Sequence, residues 1–127
     1  MRACLFVGLG GAAGAVLRYL FSLIPVKSQF PILTLLTNLI GAVVIGCIAA
    51  AAALVPGFPA NLVLFLKTGL CGGFTTFSTF SLETMTLFQE KHVPMGIAYA
   101  VVSVLVCLVG VWIGQTVMGA VLRQTAG

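Results

Sequence analysis

From residue 68 to residue 81 the chain reads TGLCGGFTTFSTFS, and this stretch decides how the rest is read. It lies inside a long apolar segment. Gly72 and Gly73 weaken a helix there, and the hydroxyl residues Thr75, Thr76, Ser78, Thr79 and Ser81 follow them. A helix broken at membrane depth leaves backbone N–H and C=O groups that lipid cannot satisfy. Such a break survives only inside protein or beside a wet cavity. Half-helix ends of this kind sit at ion and substrate sites. The new N-terminus carries partial positive charge and favours an anion, while freed carbonyls of the preceding half can coordinate a cation. The simpler alternative is a flexible helix whose hydroxyls bond back to the preceding turn.

The surrounding sequence fixes the solvent. The chain has 127 residues, 61% hydrophobic and 6% charged, with a mean hydropathy of +1.23; a soluble domain carries about 25% charged residues. A soluble core of this size has no use for so much apolar surface, so the remainder faces a lipid bilayer. Three breaks, PVKSQFP at 25–31, PGFPAN at 56–61 and QEKHVP at 89–94, separate apolar segments at roughly 3–24, 32–55, 61–89 and 95–121. Each reaches the roughly 20 residues that a spanning helix needs. No segment alternates with period two, and a chain this short could close only the smallest barrel. The run that begins at Arg2 has features of a signal peptide, but it stays apolar to Ile24 and reads as a span. The expected fold is a single all-α transmembrane domain of four helices, the third broken at mid-membrane.

Charge placement bears on assembly. Six basic residues face two acidic ones, giving a pI near 9.2. They are scattered, which excludes a nucleic-acid patch. With four spans, Arg2, Lys67 and Arg123 belong to the side of the termini, and Arg18, Lys27 and Lys91 to the other. Equal tallies give no positive-inside bias, so the chain is expected to insert in both orientations. Four helices are also too few to enclose much of a pathway. Both arguments favour an antiparallel homodimer. Gly10 and Gly14 in the first helix, and Gly110 and Gly114 in the fourth, have the spacing that lets helices approach closely in lipid; Gly41 and Gly46 punctuate the second.

Several residues could carry chemistry. Asn38 sits in an apolar run, where an unpaired amide is costly; it either donates to an anion or ties helices together. Phe74, Phe77 and Phe80 recur at a spacing that puts them roughly on one helix face, and their electropositive edges could meet a small anion, as could the hydroxyls of Ser78 and Thr79. Glu83, four residues past Thr79, is an ionisable group within a span. Arg18 either snorkels to the interface or forms an anion-attracting vestibule. Tyr99, Ser103 and Cys107 make a weakly polar stripe on the fourth helix. The four cysteines lie in separate apolar stretches and read as small apolar fillers. Neither a catalytic triad, a zinc site nor a nucleotide-binding glycine motif is legible, so an enzyme is not expected.

Residues 68–81, together with GAVLR at 14–18 and TNLIG at 37–41, resemble the Fluc/CrcB family of small bacterial and archaeal fluoride channels, whose signature is GxxGGxTTFSTF. The resemblance covers nearly the whole length. It implies a dual-topology homodimer in the cell membrane, the inner or plasma membrane, exporting cytoplasmic fluoride passively through two narrow pores. It also implies a sodium ion at the dimer centre, held by the backbone carbonyls of Gly72 and Thr75 from both copies. Phe77 and Phe80 would line the pore with Asn38. Ser78, Thr79, Glu83, Tyr99 and Ser103 would form a polar track, and Arg18 would match the arginine of the first helix. Cys107 departs from relatives that often carry Ser or His there. The alternative is a small proton-coupled cation or multidrug exporter, which needs a carboxylate at membrane depth; a non-transporting assembly subunit would not need a hydroxyl-rich break.

Overall fold

The computed structural model describes residues 1–125. Within them the chain is helical, with four segments long and apolar enough to cross a membrane: Arg2–Ser22, Ile32–Leu54, Ala60–Gln89 and Val93–Thr125. The fourth helix outruns the expected 95–121 at both ends: it runs on to Thr125, and at its start Pro94 falls in the first turn, where a missing N–H costs nothing. Prolines punctuate the other starts: Pro31 and Pro59 precede the second and third spans. Gly57 takes a positive φ of 75° in the turn between those spans, which glycine adopts freely.

The third span is composite. An α-helical turn, Ala60–Val63, runs into a π-helical stretch, Leu64–Cys71, and a last turn, Gly72–Phe74. Thr75 (ψ 158°) and Thr76 (φ −150°, ψ 112°) are then extended. A new α-helix, Phe77–Gln89, follows. The break therefore falls at Thr75–Thr76, after the two glycines that helix propensity marks as weakest. Gly72 and Gly73 stay helical, and Gly73 lies against the backbone of the first helix at Gly11, where a Cβ would not fit.

Glycine contacts pair the spans. Gly10 meets Phe65 and Gly69, and Gly14 meets Leu70 and Gly73, so the first helix runs parallel to the first half of the third span. Gly110 meets Leu39 and Ala42, Gly114 meets Val43 and Cys47, and Gly46 meets Val111, so the second and fourth helices are likewise parallel neighbours. Lipid provides no hydrophobic drive for such pairing; close backbone packing and polar contacts provide it. A small aromatic and aliphatic cluster of Leu35, Leu87 and Tyr99, with Phe30 and Phe80 against it, joins the second half of the third span to these helices. The long outer faces, including Leu5, Leu9, Leu105, Leu108 and Trp112, are exposed in the single chain, as expected for surfaces that meet lipid.

Candidate functional site

The site is organised around Thr76. Its N–H donates to Asn38 Oδ1 at 2.8 Å, and its carbonyl accepts from Asn38 Nδ2 at 3.1 Å. The asparagine amide thus pairs with the broken backbone as a neighbouring peptide would, satisfying two groups that lipid could not. Of the two readings of Asn38, the tie between helices is the one seen, although one Nδ2 hydrogen stays free. Thr76 also caps the new helix: its Oγ1 accepts from the Thr79 N–H at 3.1 Å and donates to Thr79 Oγ1 at 2.9 Å. Ser78 Oγ lies 3.3 Å from the same hydroxyl. Upstream, the Thr75 N–H and hydroxyl both donate to the Cys71 carbonyl, at 2.9 and 2.8 Å.

Two clefts flank this break, each of about 360 Å³, and Thr76 is the residue their linings share. The first contains Asn38, Gly72, Thr75, Phe77, Phe80 and Ser103, with Cys107 and Lys67 on its walls. The second contains Arg18, Ser22, Thr34, Thr37 and Thr79. The candidate residues are therefore divided. Asn38, Phe77, Phe80, Ser103, Gly72 and Thr75 share one cleft, whereas Arg18 and Thr79 line the other. Ser78 is exposed and lines neither.

The phenylalanine stripe does not hold as one face. Phe74 turns to the first helix, its ring 6.3 Å from Phe21 in an edge arrangement. Phe77 and Phe80 stay together at 5.4 Å, and Phe80 continues to Tyr99 at 5.2 Å. The helical spacing that would align all three is interrupted by the two extended residues between Phe74 and Phe77. Phe77 is 78% exposed, so its ring has little cover within one chain.

Glu83 is fixed rather than free. Thr34 Oγ1 donates to one carboxylate oxygen and Tyr99 OH to the other, both at 2.7 Å. Tyr99 is completely buried. Ser103, one turn further along the fourth helix, is the opposite case: its hydroxyl is buried and has no hydrogen-bond partner. A buried unpaired hydroxyl is uncommon and calls for an explanation. Here it lines the cleft that Asn38 and Phe80 also line. Gly72 is exposed on that cleft, with no atom within 4 Å of where a Cβ would stand. Among the described residues no group of three or more His, Cys, Asp or Glu side chains could hold a metal; backbone carbonyls at the end of the first half-helix are the available cation donors.

Thr34 and Thr37 carry no role in the sequence reading, and Thr76 appears there only as one of the run of hydroxyls after the glycines. Thr34 and Thr37 sit three apart, hence on one helix face toward the break, and that spacing was the available signal. Lys67 counted only as a flanking charge.

The sequence profile of the family described as CrcB-like protein, Camphor Resistance (CrcB), matches residues 5–115. The chain is 39% identical over 124 residues to the fluoride-specific ion channel FluC of Methanocaldococcus jannaschii, covering 97% of this chain and 99% of that protein. It is 43% identical over 126 residues to FluC of Rhodospirillum rubrum (93% and 94% covered). It is 45% identical over 112 residues to FluC of Ruminiclostridium cellulolyticum (86% of each). A match of this extent, on a multi-pass helical chain with a broken third span, places the protein in a family: it belongs to the CrcB-like membrane proteins.

Proposed function

We propose that the protein is a passive, fluoride-selective ion channel of the cell membrane, working as a dual-topology antiparallel homodimer. The observation that carries the reading is the Ser103 hydroxyl, buried and unpaired in a cleft that also holds Asn38, Phe77 and Phe80, in a chain similar to fluoride-specific channels along nearly its whole length. Fluoride is small and strongly hydrated. A pore that takes it must replace water with donors and positive ring edges while binding weakly enough to release it. The free Asn38 N–H, the Ser103 hydroxyl and the edges of Phe77 and Phe80 supply such a set. Beyond Phe80, the Tyr99 hydroxyl and the Glu83 carboxylate would extend a polar track to Thr34, which lines the second cleft with Thr79 and Arg18, with Ser78 beside it.

The homodimer would bring two copies together at the exposed Phe77 and Gly72 surface, in opposite orientations, as the equal charge tally allows. The Gly72 and Thr75 carbonyls of both copies would then hold a sodium ion at the centre. The open Gly72 face fits this role. When bound, the ion supplies a fixed positive charge that favours an anion nearby. The proton-coupled exporter is less well supported: the only carboxylate within the four described spans, Glu83, already accepts hydrogen bonds on both oxygens.

The test is fluoride efflux from liposomes holding the purified protein, followed with a fluoride electrode, with chloride as control and Phe80→Ile alongside. Fast fluoride-only efflux that the substitution abolishes is expected. No efflux from a folded preparation refutes the channel. Efflux that Phe80→Ile leaves unchanged refutes this pore lining, and proton-driven cation efflux favours the exporter.

A further inference from the structure

Each of the two clefts has one charged residue in its lining: Arg18 in one and Lys67 in the other. The glycine contacts set their relative depth. Gly10 lies level with Gly69, and Gly14 with Gly73, on parallel segments. Lys67 precedes the Gly69 level by two residues, and Arg18 follows the Gly14 level by four. At the helical rise per residue the two cations are roughly 15 Å apart along the span, Arg18 level with the Thr76 break, which its cleft shares, and Lys67 well before it. Lys67 lies within the π-helical stretch and is exposed. The rest of its cleft is neutral: an amide, hydroxyls, thiols, ring edges and aliphatic groups. A lone ammonium on a low-dielectric wall raises the local concentration of small anions, and salt screens the effect.

We infer that Lys67 is the anion-gathering residue of the Ser103 cleft, concentrating fluoride at its mouth without binding it at the selective site. Arg18 is the corresponding single cation of the other cleft. The inference rests on the fluoride-channel reading and adds a residue that sets the rate of entry. Lysine suits such a role, because its ammonium is a compact point charge on a flexible stem.

The experiment compares fluoride efflux from liposomes carrying wild type, K67Q, K67E and K67R, at low ionic strength and with added impermeant gluconate salt. A unit charge about 6 Å from an anion in a water-like medium changes its local concentration about threefold. K67Q should therefore conduct about threefold more slowly than wild type at about 0.01 M salt, K67E more slowly still, and K67R like wild type. All four should converge near 1 M, where the screening length falls to about 3 Å. Fluoride-over-chloride preference should be the same in all. Equal rates for K67Q and wild type at low salt overturn the inference while leaving the channel intact. A K67Q deficit that persists at 1 M also overturns it, pointing to packing in the π-helical stretch. A folded wild type that passes no fluoride at any salt overturns the channel reading itself, and the inference with it.

Discussion

Replacing Asn38 by alanine separates two opposed effects. Alanine is the better helix former, by roughly 0.6 kcal/mol, and if Asn38 were only a polar residue facing a cleft the variant would be slightly more stable. The structure predicts the reverse. Asn38→Ala strips partners from both the N–H and the C=O of Thr76, a residue 8% exposed. Each buried backbone group left unpaired costs about 1–3 kcal/mol. Interhelical hydrogen bonds in membranes average only about 0.6 kcal/mol, with a maximum near 1.7, so the lower end applies. Two groups less the propensity gain leave a net loss of about 1–3 kcal/mol. The assay is equilibrium unfolding in detergent micelles, followed by the fluorescence of Trp112. Asn38→Asp sharpens it, since an ionised Asp keeps the acceptor for the Thr76 N–H but faces the Thr76 carbonyl with a second oxygen. It should be at least as destabilised as alanine. If Asn38→Ala unfolds at the wild-type denaturant concentration or above, the backbone clamp is wrong and the break holds itself together.

Ser103→Ala should leave stability unchanged or raise it by up to about 1 kcal/mol, because it removes an unpaired buried hydroxyl, while slowing fluoride efflux; a clear loss of stability would reveal a hidden partner. Glu83→Gln leaves one oxygen for the two hydroxyls of Thr34 and Tyr99 and should destabilise by about 1–2 kcal/mol, and a double-mutant cycle with Tyr99→Phe should show coupling. Gly73→Ala forces a methyl against the first-helix backbone at Gly11 and should cost about 1–3 kcal/mol, whereas Gly72→Ala meets no neighbour within its own chain and should leave the fold of the single chain intact, any loss falling on the proposed dimer contact. Thermal unfolding of the two variants side by side checks both.

The spans were legible because lipid demands long apolar runs, and prolines and short polar clusters mark their ends. The break was legible as a region but not to the residue. Gly72 and Gly73 looked like its centre, yet Gly73 serves close packing and Thr75–Thr76 carry the extended backbone, which depends on a side chain from another helix. Asn38 stood out as costly in lipid, but sequence spacing says nothing about a partner 38 residues away. Glu83 was flagged for the same reason, and its pairing with Thr34 and Tyr99 needed three helices to meet. The phenylalanine stripe misled because helical periodicity was carried across a segment that is not helical. The four cysteines fall on four different spans, with Cys71 buried and Cys4 exposed.

The glycine pairing has a consequence for synthesis. The first helix ends at Ser22, but the backbone it packs against extends to Phe74. At translation rates of about 5–20 residues per second the first helix waits roughly 3–10 s for its partner. The second helix waits in the same way for Gly110 and Gly114 near the far end of the chain. The glycine-packed partners are not neighbours in sequence, so neither pair can close while the chain is half made. Gly10, Gly14 and Gly46 present bare backbone grooves throughout that interval, and the architecture locks only when the last span arrives.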